Sequence, residues 1–210
     1  FLLVTGEGST DNSLFQFDGD RLKTAAVFDF ESQDTYSIRV LATELRDYFE
    51  YQVQKVFTIA ISNMNEVPTL LTLAPAAVAE NADVGTLAGE FTTTDPDAGD
   101  SFTYSLVSGE GSGDNAAFTI DGHRLRTAAV FDYEAKASYQ ILVRSTDAGG
   151  LFTERAFTVS VRDVPEPRTF EIPAGSSVIV VEPLVGADRM VIRGGGRVIL
   201  EAANDFTGGV

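Results

Sequence analysis

Laid over one another at a constant offset of 103, residues 1–44 and 104–147 are identical at about 24 of 44 positions. "LVTGEGSTDNSLFQFDGDRLKTAAVFDFE" falls on "LVSGEGSGDNAAFTIDGHRLRTAAVFDYE", and "FTIAIS" (57–62) then falls on "FTVSVR" (157–162) after a hairpin three residues longer in the first copy. A repeat of about 100 residues is a whole domain, too long for one rung of a solenoid. The copies are not equally complete. The second runs from about Thr69 to Pro167, whereas the first starts at the strand equivalent to 104–107 and lacks roughly its first third. Phe1 falls inside a strand-like run, so the chain reads as a piece of a longer one.

Within the complete copy the apolar period is two. "YQILVRS" (139–145), "FTVSV" (157–161) and "GEFTTT" (89–94) alternate, and Gly, Asp, Asn and Pro turns bound them. "DAGG" at 147–150 between two such runs marks a hairpin. Around seven short strands per 100 residues, without an amphipathic helix, predict an all-β fold of tandem Greek-key sandwiches. Phe118, Phe131, Tyr139 and Phe157, with Phe15, Phe28, Tyr36 and Phe57 in the first copy, are its expected core. The polar, proline-stiffened stretches "SNMNEVPT" (62–69) and "RDVPEPRT" (162–169) are linkers. The division is then 1–67, a partial repeat; 68–167, a complete one; and 168–210, a β-rich tail.

Thirty-one acidic residues against 15 basic ones give a net charge of −16, which excludes nucleic acid and anionic membrane as partners. No cysteine is present, and the single histidine, His123, aligns with Asp20 and reads as an exposed turn residue. That removes thiol nucleophiles, cysteine–zinc sites and histidine-based acid–base pairs. With no Ser-His-Asp set, and with the glycine-rich "GEGSGDN" (109–115) lying between strands rather than opening a helix, an enzyme is not expected. No apolar run is long enough to span a membrane as a helix.

The acids gather where one sandwich would meet the next. Glu80 lies near the end of the first strand of the complete copy, and Asp95 and Asp97 follow the next. Asp132 and Glu134 form "DYE", with Asp29 and Glu31 at the same place in the first copy, and Asp147 opens the 147–150 hairpin. Asn63, Asn65 and Glu66 occupy the first linker, Asp163 and Glu166 the second. Asp-x-Asp and Asp-x-Glu on an extended segment put two carboxylates on one side, about 7 Å apart. Calcium takes six to eight such oxygens. A solubilising acidic surface is the plainer reading of any single doublet; five acidic elements, each at a strand end, favour calcium sites.

Together, "NMNEVPT" (63–69), "AEN" (79–81), "TDPDAGDSFTYS" (94–105), "FDYE" (131–134), "TDAGG" (146–150) and "DVPE" (163–166) resemble the signature of tandem cadherin-type repeats of the bacterial kind. The resemblance implies seven-stranded sandwiches with calcium between successive domains. The resemblance implies that the lower domain gives its "AEN" glutamate and Asp-x-Glu pair, the linker its acids and amides, and the upper domain its Asp-x-Asp pair and hairpin aspartate: Asp29, Glu31, Asn63, Asn65, Glu66, Asp95, Asp97 and Asp147 at the first junction, and Glu80, Asp132, Glu134, Asp163 and Glu166 at the second. At the first junction the lower glutamate has no counterpart in this chain. The second departs from the pattern: Pro165 replaces the linker asparagine and no second "TDPD" follows. Asn63, where aspartate is usual, removes one charge from the first.

The tail breaks the repeat. "GGGRVILEAANDFTGGV" (194–210) resembles an autotransporter-associated β-strand repeat, which implies the start of a β-solenoid; a fragment of a third sandwich is the alternative. Two function classes follow. One is a calcium-rigidified extracellular module of a large bacterial surface protein or fibre, its neighbours being other domains or copies of itself joined by strand exchange into filaments. The other is a carbohydrate- or protein-binding sandwich. The truncated first sandwich is expected to expose core residues such as Phe28 and Tyr36.

Overall fold

A computed structural model of the chain describes residues 1–165, 168–171, 173–180, 190–195 and 197–200. Among these there is no α-helix, only strands, turns and two single-turn 3-10 segments at Asn12–Leu14 and Asn115–Ala117. In the first copy β1 (Leu2–Leu3), β2 (Phe15–Asp18), β3 (Arg21–Thr24), β4 (Thr35–Arg46) and β5 (Phe49–Ala60) form a three-stranded sheet, β1-β4-β5, and a β2–β3 hairpin. The second copy holds β6 (Leu70–Ala74), β7 (Ala77–Ala79), β8 (Leu87–Thr94), β9 (Thr103–Leu106), β10 (Phe118–Asp121), β11 (Arg124–Thr127), β12 (Ser138–Thr146) and β13 (Phe152–Arg162). These make two four-stranded sheets, β10-β11-β8-β6 and β7-β13-β12-β9. The non-sequential orders are those of a Greek-key sandwich, as the alternation predicted.

By packing, the described chain divides into two compact units. One comprises Phe1–Thr72, Thr92–Tyr104 and Arg144–Glu154; the other comprises Leu73–Phe91, Ser105–Val143 and Arg155 onward. The first has a core of Phe15, Tyr36, Ile38 and Val40, with Leu3, Phe17, Leu22, Phe28 and Ile59 packed against it. Contrary to expectation, Phe28 and Tyr36 are not laid open by the truncation. Phe28 is half-buried and Tyr36 buried, because they close an aromatic trio with Phe15, the Phe28 and Tyr36 rings 4.7 Å apart and edge to face. All three come from residues 15–36, so their packing draws on nothing outside that span. The second unit repeats the trio as Phe118, Phe131 and Tyr139 and adds Val78, Ala88, Phe91, Leu125, Ile141, Val143 and Val159 as buried core.

Each "GEG" loop is clamped identically. Asn12 donates to the Val4 carbonyl and accepts from Arg39 N–H; Asn115 does the same with Val107 and Leu142, all at 2.8–3.0 Å. Asp11 and Asp114 accept the Ser37 and Gln140 backbone N–H at 2.7 Å. The glycine-rich loop is thus a structural latch between strands, as its position in the sequence indicates.

In the tail β14 (Arg168–Glu171) pairs parallel with β16 (Met190–Arg193), and β15 (Ser177–Val180) with β17 (Arg197–Leu200), both in continuous register. The final ten residues, which carry most of the tail motif, lie outside the described residues.

Candidate metal centres

Eight of the sequence-predicted acids, together with Asp100, fall into three groups, each offering three carboxylate oxygens within 4.8 Å of one another: Glu31, Glu66 and Asp97; Asp95, Asp100 and Asp147; and Glu80, Asp132 and Glu134.

The first two groups lie within one compact unit. Asp95 and Asp97 follow the end of β8, and Asp97 N–H turns back onto Asp95 Oδ1 at 3.0 Å, which fixes the doublet as a tight turn. Linker residues close on it: Asn63 Nδ2 donates to Asp97 Oδ1 and Glu66 N–H to Asp97 Oδ2, both at 2.8 Å. Asp29 caps its own turn by accepting from Glu31 and Ser32 N–H, leaving the Glu31 carboxylate directed to the shared group. Glu66 is pushed above the ordinary glutamate value by partial desolvation and by repulsion from Glu31, Asp97 and Asp29. Crowded carboxylates without a countercharge are an electrostatic load that a divalent cation would lift.

Beside it, Asp147 is buried and held by Leu151 N–H at 2.8 Å, while Asn65 Nδ2 donates to its other oxygen at 3.0 Å. Asn65 enters the hairpin where Gly149 leaves a notch: a β-carbon on Gly149 would sit 2.1 Å from Asn65 Oδ1. That is why the hairpin reads Asp-Ala-Gly-Gly. Asp100, absent from the sequence-predicted set, completes this group. Asp95 Oδ2 and Asp100 Oδ2 are buried yet have no hydrogen-bond partner among the described residues. Buried, unsatisfied carboxylate oxygens are costly, and a cation ligated by them removes the cost. The donor set is all oxygen, which suits calcium and not a softer metal. Asp100 stands three residues past Asp97, outside the two-residue doublet spacing; its signal was a third acid within one turn.

The second junction is built differently. Glu80 is buried and accepts Val164 N–H at 2.7 Å and Tyr133 N–H at 2.8 Å, tying the "DYE" turn to the second linker. These backbone donors hold its pKa below the ordinary value against the opposing effect of burial. Asp132 caps its turn through Ala135 N–H. Glu166 lies outside the described residues.

Residues 74–162 match the cadherin domain. The mouse relative Protocadherin Fat 4 is 30% identical over 190 residues, which are 86% of this chain and 4% of that protein. Human Cadherin-24 is 30% identical over 163 residues, 68% of this chain and 19% of the relative. The chain thus spans a small part of the curated relatives it matches. Among solved structures, PcdhgB3 EC1-4 superposes with a TM-score of 0.55 at 26% identity, covering 76% of this chain and 39% of that one. Human Protocadherin-24 EC1-2 gives 0.55 at 20% identity, covering 73% and 79%. Cadherin-like sandwiches in tandem are the fold. These relatives are animal proteins, and the bacterial affiliation suggested by the repeat signature is a separate matter. No helix among the described residues is long and apolar enough to cross a membrane.

Proposed function

We propose that this chain is a calcium-rigidified module of an extracellular adhesive or structural protein, working by holding successive sandwiches in a fixed line. The observation that carries it is the pair of adjacent carboxylate groups around the first linker, with two orphaned buried oxygens. Glu31, Glu66, Asp97 and Asp29 would hold one ion, and Asp95, Asp100 and Asp147 a second, with Asn63 and Asn65 turning their amide oxygens inward. Glu80, Asp132, Glu134 and Asp163 would form a weaker site, because Glu80 is already satisfied by backbone donors. The cation supplies charge neutralisation and cross-linking.

The outward setting rests on the cadherin match and on solved relatives described as extracellular cadherin domains, such as Protocadherin Gamma B2. Assignment to a bacterial surface protein rests on the "TDPDAGDSFTYS" signature. The parallel β14–β16 and β15–β17 pairs support a tail that begins a solenoid.

Calcium at a hundredfold excess over its Kd adds about 2.7 kcal/mol to the folded state. Calorimetry with and without chelator should show that gain. Asp95→Asn with Asp97→Asn should lose most of it, whereas Asp163→Asn should lose little. A melting temperature indifferent to chelator sinks the proposal. Small-angle scattering should show a smaller radius of gyration once calcium is removed.

A further inference from the structure

The hairpins of the two copies end differently. Where the second has the five residues 147–151, the first has the eight residues 44–51, "ELRDYFEY". Arg46 pairs with Phe49, so Asp47 and Tyr48 alone make the turn. Their φ angles are 48° and 71°, a conformation that glycine or asparagine takes freely and a bulky aromatic only at a cost. Tyr48 recovers none of that cost by packing, because it is fully exposed, and Phe49 beside it is 68% exposed. A glycine would serve this turn better, so the use of the Tyr48 ring lies outside the fold.

The chain's other rings indicate what such a ring receives. In the second copy's hairpin Arg144 lies over Phe152 at 4.0 Å, and elsewhere Lys136 lies over Tyr139 at 4.7 Å, Lys55 over Phe57 at 5.2 Å and Arg155 over Phe157 at 5.4 Å. At the tip the one cation, Arg46, is turned away to Glu44 at 2.6 Å. Among the described residues neither Tyr48 nor Phe49 meets a cation or another ring, and the Asp47 carboxylate next to them has no ion pair. Two open ring faces beside a carboxylate attract positive charge.

We propose that this tip docks on a protein surface that lays an arginine or lysine side chain over Tyr48 and Phe49, with Asp47 as its counter-ion. A second copy of the chain is the poorer partner, since at a net charge of −16 two copies repel. A linker like that of Asn65 does not account for the tip either. Asn65 enters at Gly149 and is held by Asp147, whereas 44–51 contains no glycine and its aspartate is in the turn itself. The contact uses none of the cation-binding acids and is independent of the calcium reading.

The test uses the 210-residue chain in saturating calcium, so that the acidic groups around the linkers are occupied. The probe is a capped Gly-Arg-Gly-Arg-Gly peptide, with the citrulline-for-arginine peptide as its neutral match, titrated while the backbone amides of residues 45–50 are followed by NMR. The arginine peptide should shift those amides and bind there at least about tenfold more tightly than the neutral one. Tyr48→Gly with Phe49→Ser keeps the charge and should weaken that binding by about tenfold, while Tyr48→Gly alone should melt no lower than the parent. Tip amides that do not move, or that respond equally to both peptides, overturn the proposal, as does undiminished binding by the double variant. A lower melting temperature for Tyr48→Gly would make the ring structural, and tip-dependent co-sedimentation with phosphatidylcholine vesicles would make the occupant a membrane; either result defeats it.

Discussion

The two copies share a sequence and differ in what surrounds it. Leu22 and Leu125 stand at the same place in "DGxRLxT", yet Leu125 is fully buried and Leu22 only half so. Both copies keep the aromatic trio and the Asn latch, which draw on residues within their shared span. What the first copy lacks is closure of the far side of its sheet, which in the second is made by strands encoded outside that span. Contacts made within the shared span are thus common to both copies, whereas burial of the sheet face is not.

The largest expected effect therefore separates equivalent leucines. Leu125→Ala should cost the second copy about 2–5 kcal/mol, the range for a fully buried leucine. Leu22→Ala should cost the first about 1 kcal/mol, since little more than half of its transfer free energy is realised. Native-state hydrogen exchange at β10–β11 and β2–β3 measures both; equal losses would erase the contrast.

Next comes the hairpin notch, present in the second copy alone. Gly149→Ala should cost about 1–3 kcal/mol by forcing Asn65 aside. Its φ lies outside the left-handed range, so the cost is steric, and adding Asn65→Ala should restore most of it in a double-mutant cycle. No restoration would mean that the hairpin, and not its contact with the linker, was disturbed.

A third comparison should show sameness. Asn12→Ala and Asn115→Ala each strand one carbonyl and one N–H in identical geometry and should each cost about 1–3 kcal/mol. Urea unfolding that finds one far costlier than the other would show the latch depends on the missing strands after all.

The smallest effect is in acid. Burial alone would raise Asp114, but the Lys136 ion pair and Gln140 N–H hold it below the ordinary aspartate value. A depressed carboxyl stabilises the fold above its unfolded pKa and loses that contribution as pH falls through the folded one. Asp114→Asn should therefore lower stability at neutral pH and converge with the parent in strong acid.

The strand count, sandwich layering and acid positions were legible because period-two alternation and acids at strand ends are local signals. The linker residues Asn63, Asn65 and Glu66 were placed with Asp97 by the resemblance of the linker and "TDPD" motifs. Asp100 escaped because its spacing fits no doublet, and its role emerges only once Asp147 is brought beside it from the hairpin. Phe28 and Tyr36 were misjudged for the opposite reason. Their expected exposure ignores a local partner: Phe15 lies only thirteen residues from Phe28 in sequence and closes the cluster unaided.

The notch at Gly149 bears on how such chains can be rearranged. A side chain missing from one hairpin tip receives the linker of the preceding copy, so compatibility between neighbours is written as an empty space. The first copy presents Glu44, Leu45 and Arg46 along the corresponding stretch and turns at Asp47 and Tyr48, both with positive φ. A linker keyed like Asn65 finds no recess there. Despite their shared sequence pattern the two copies are not interchangeable parts. Shuffling them, by recombination or by design, would preserve each sandwich and break the joint.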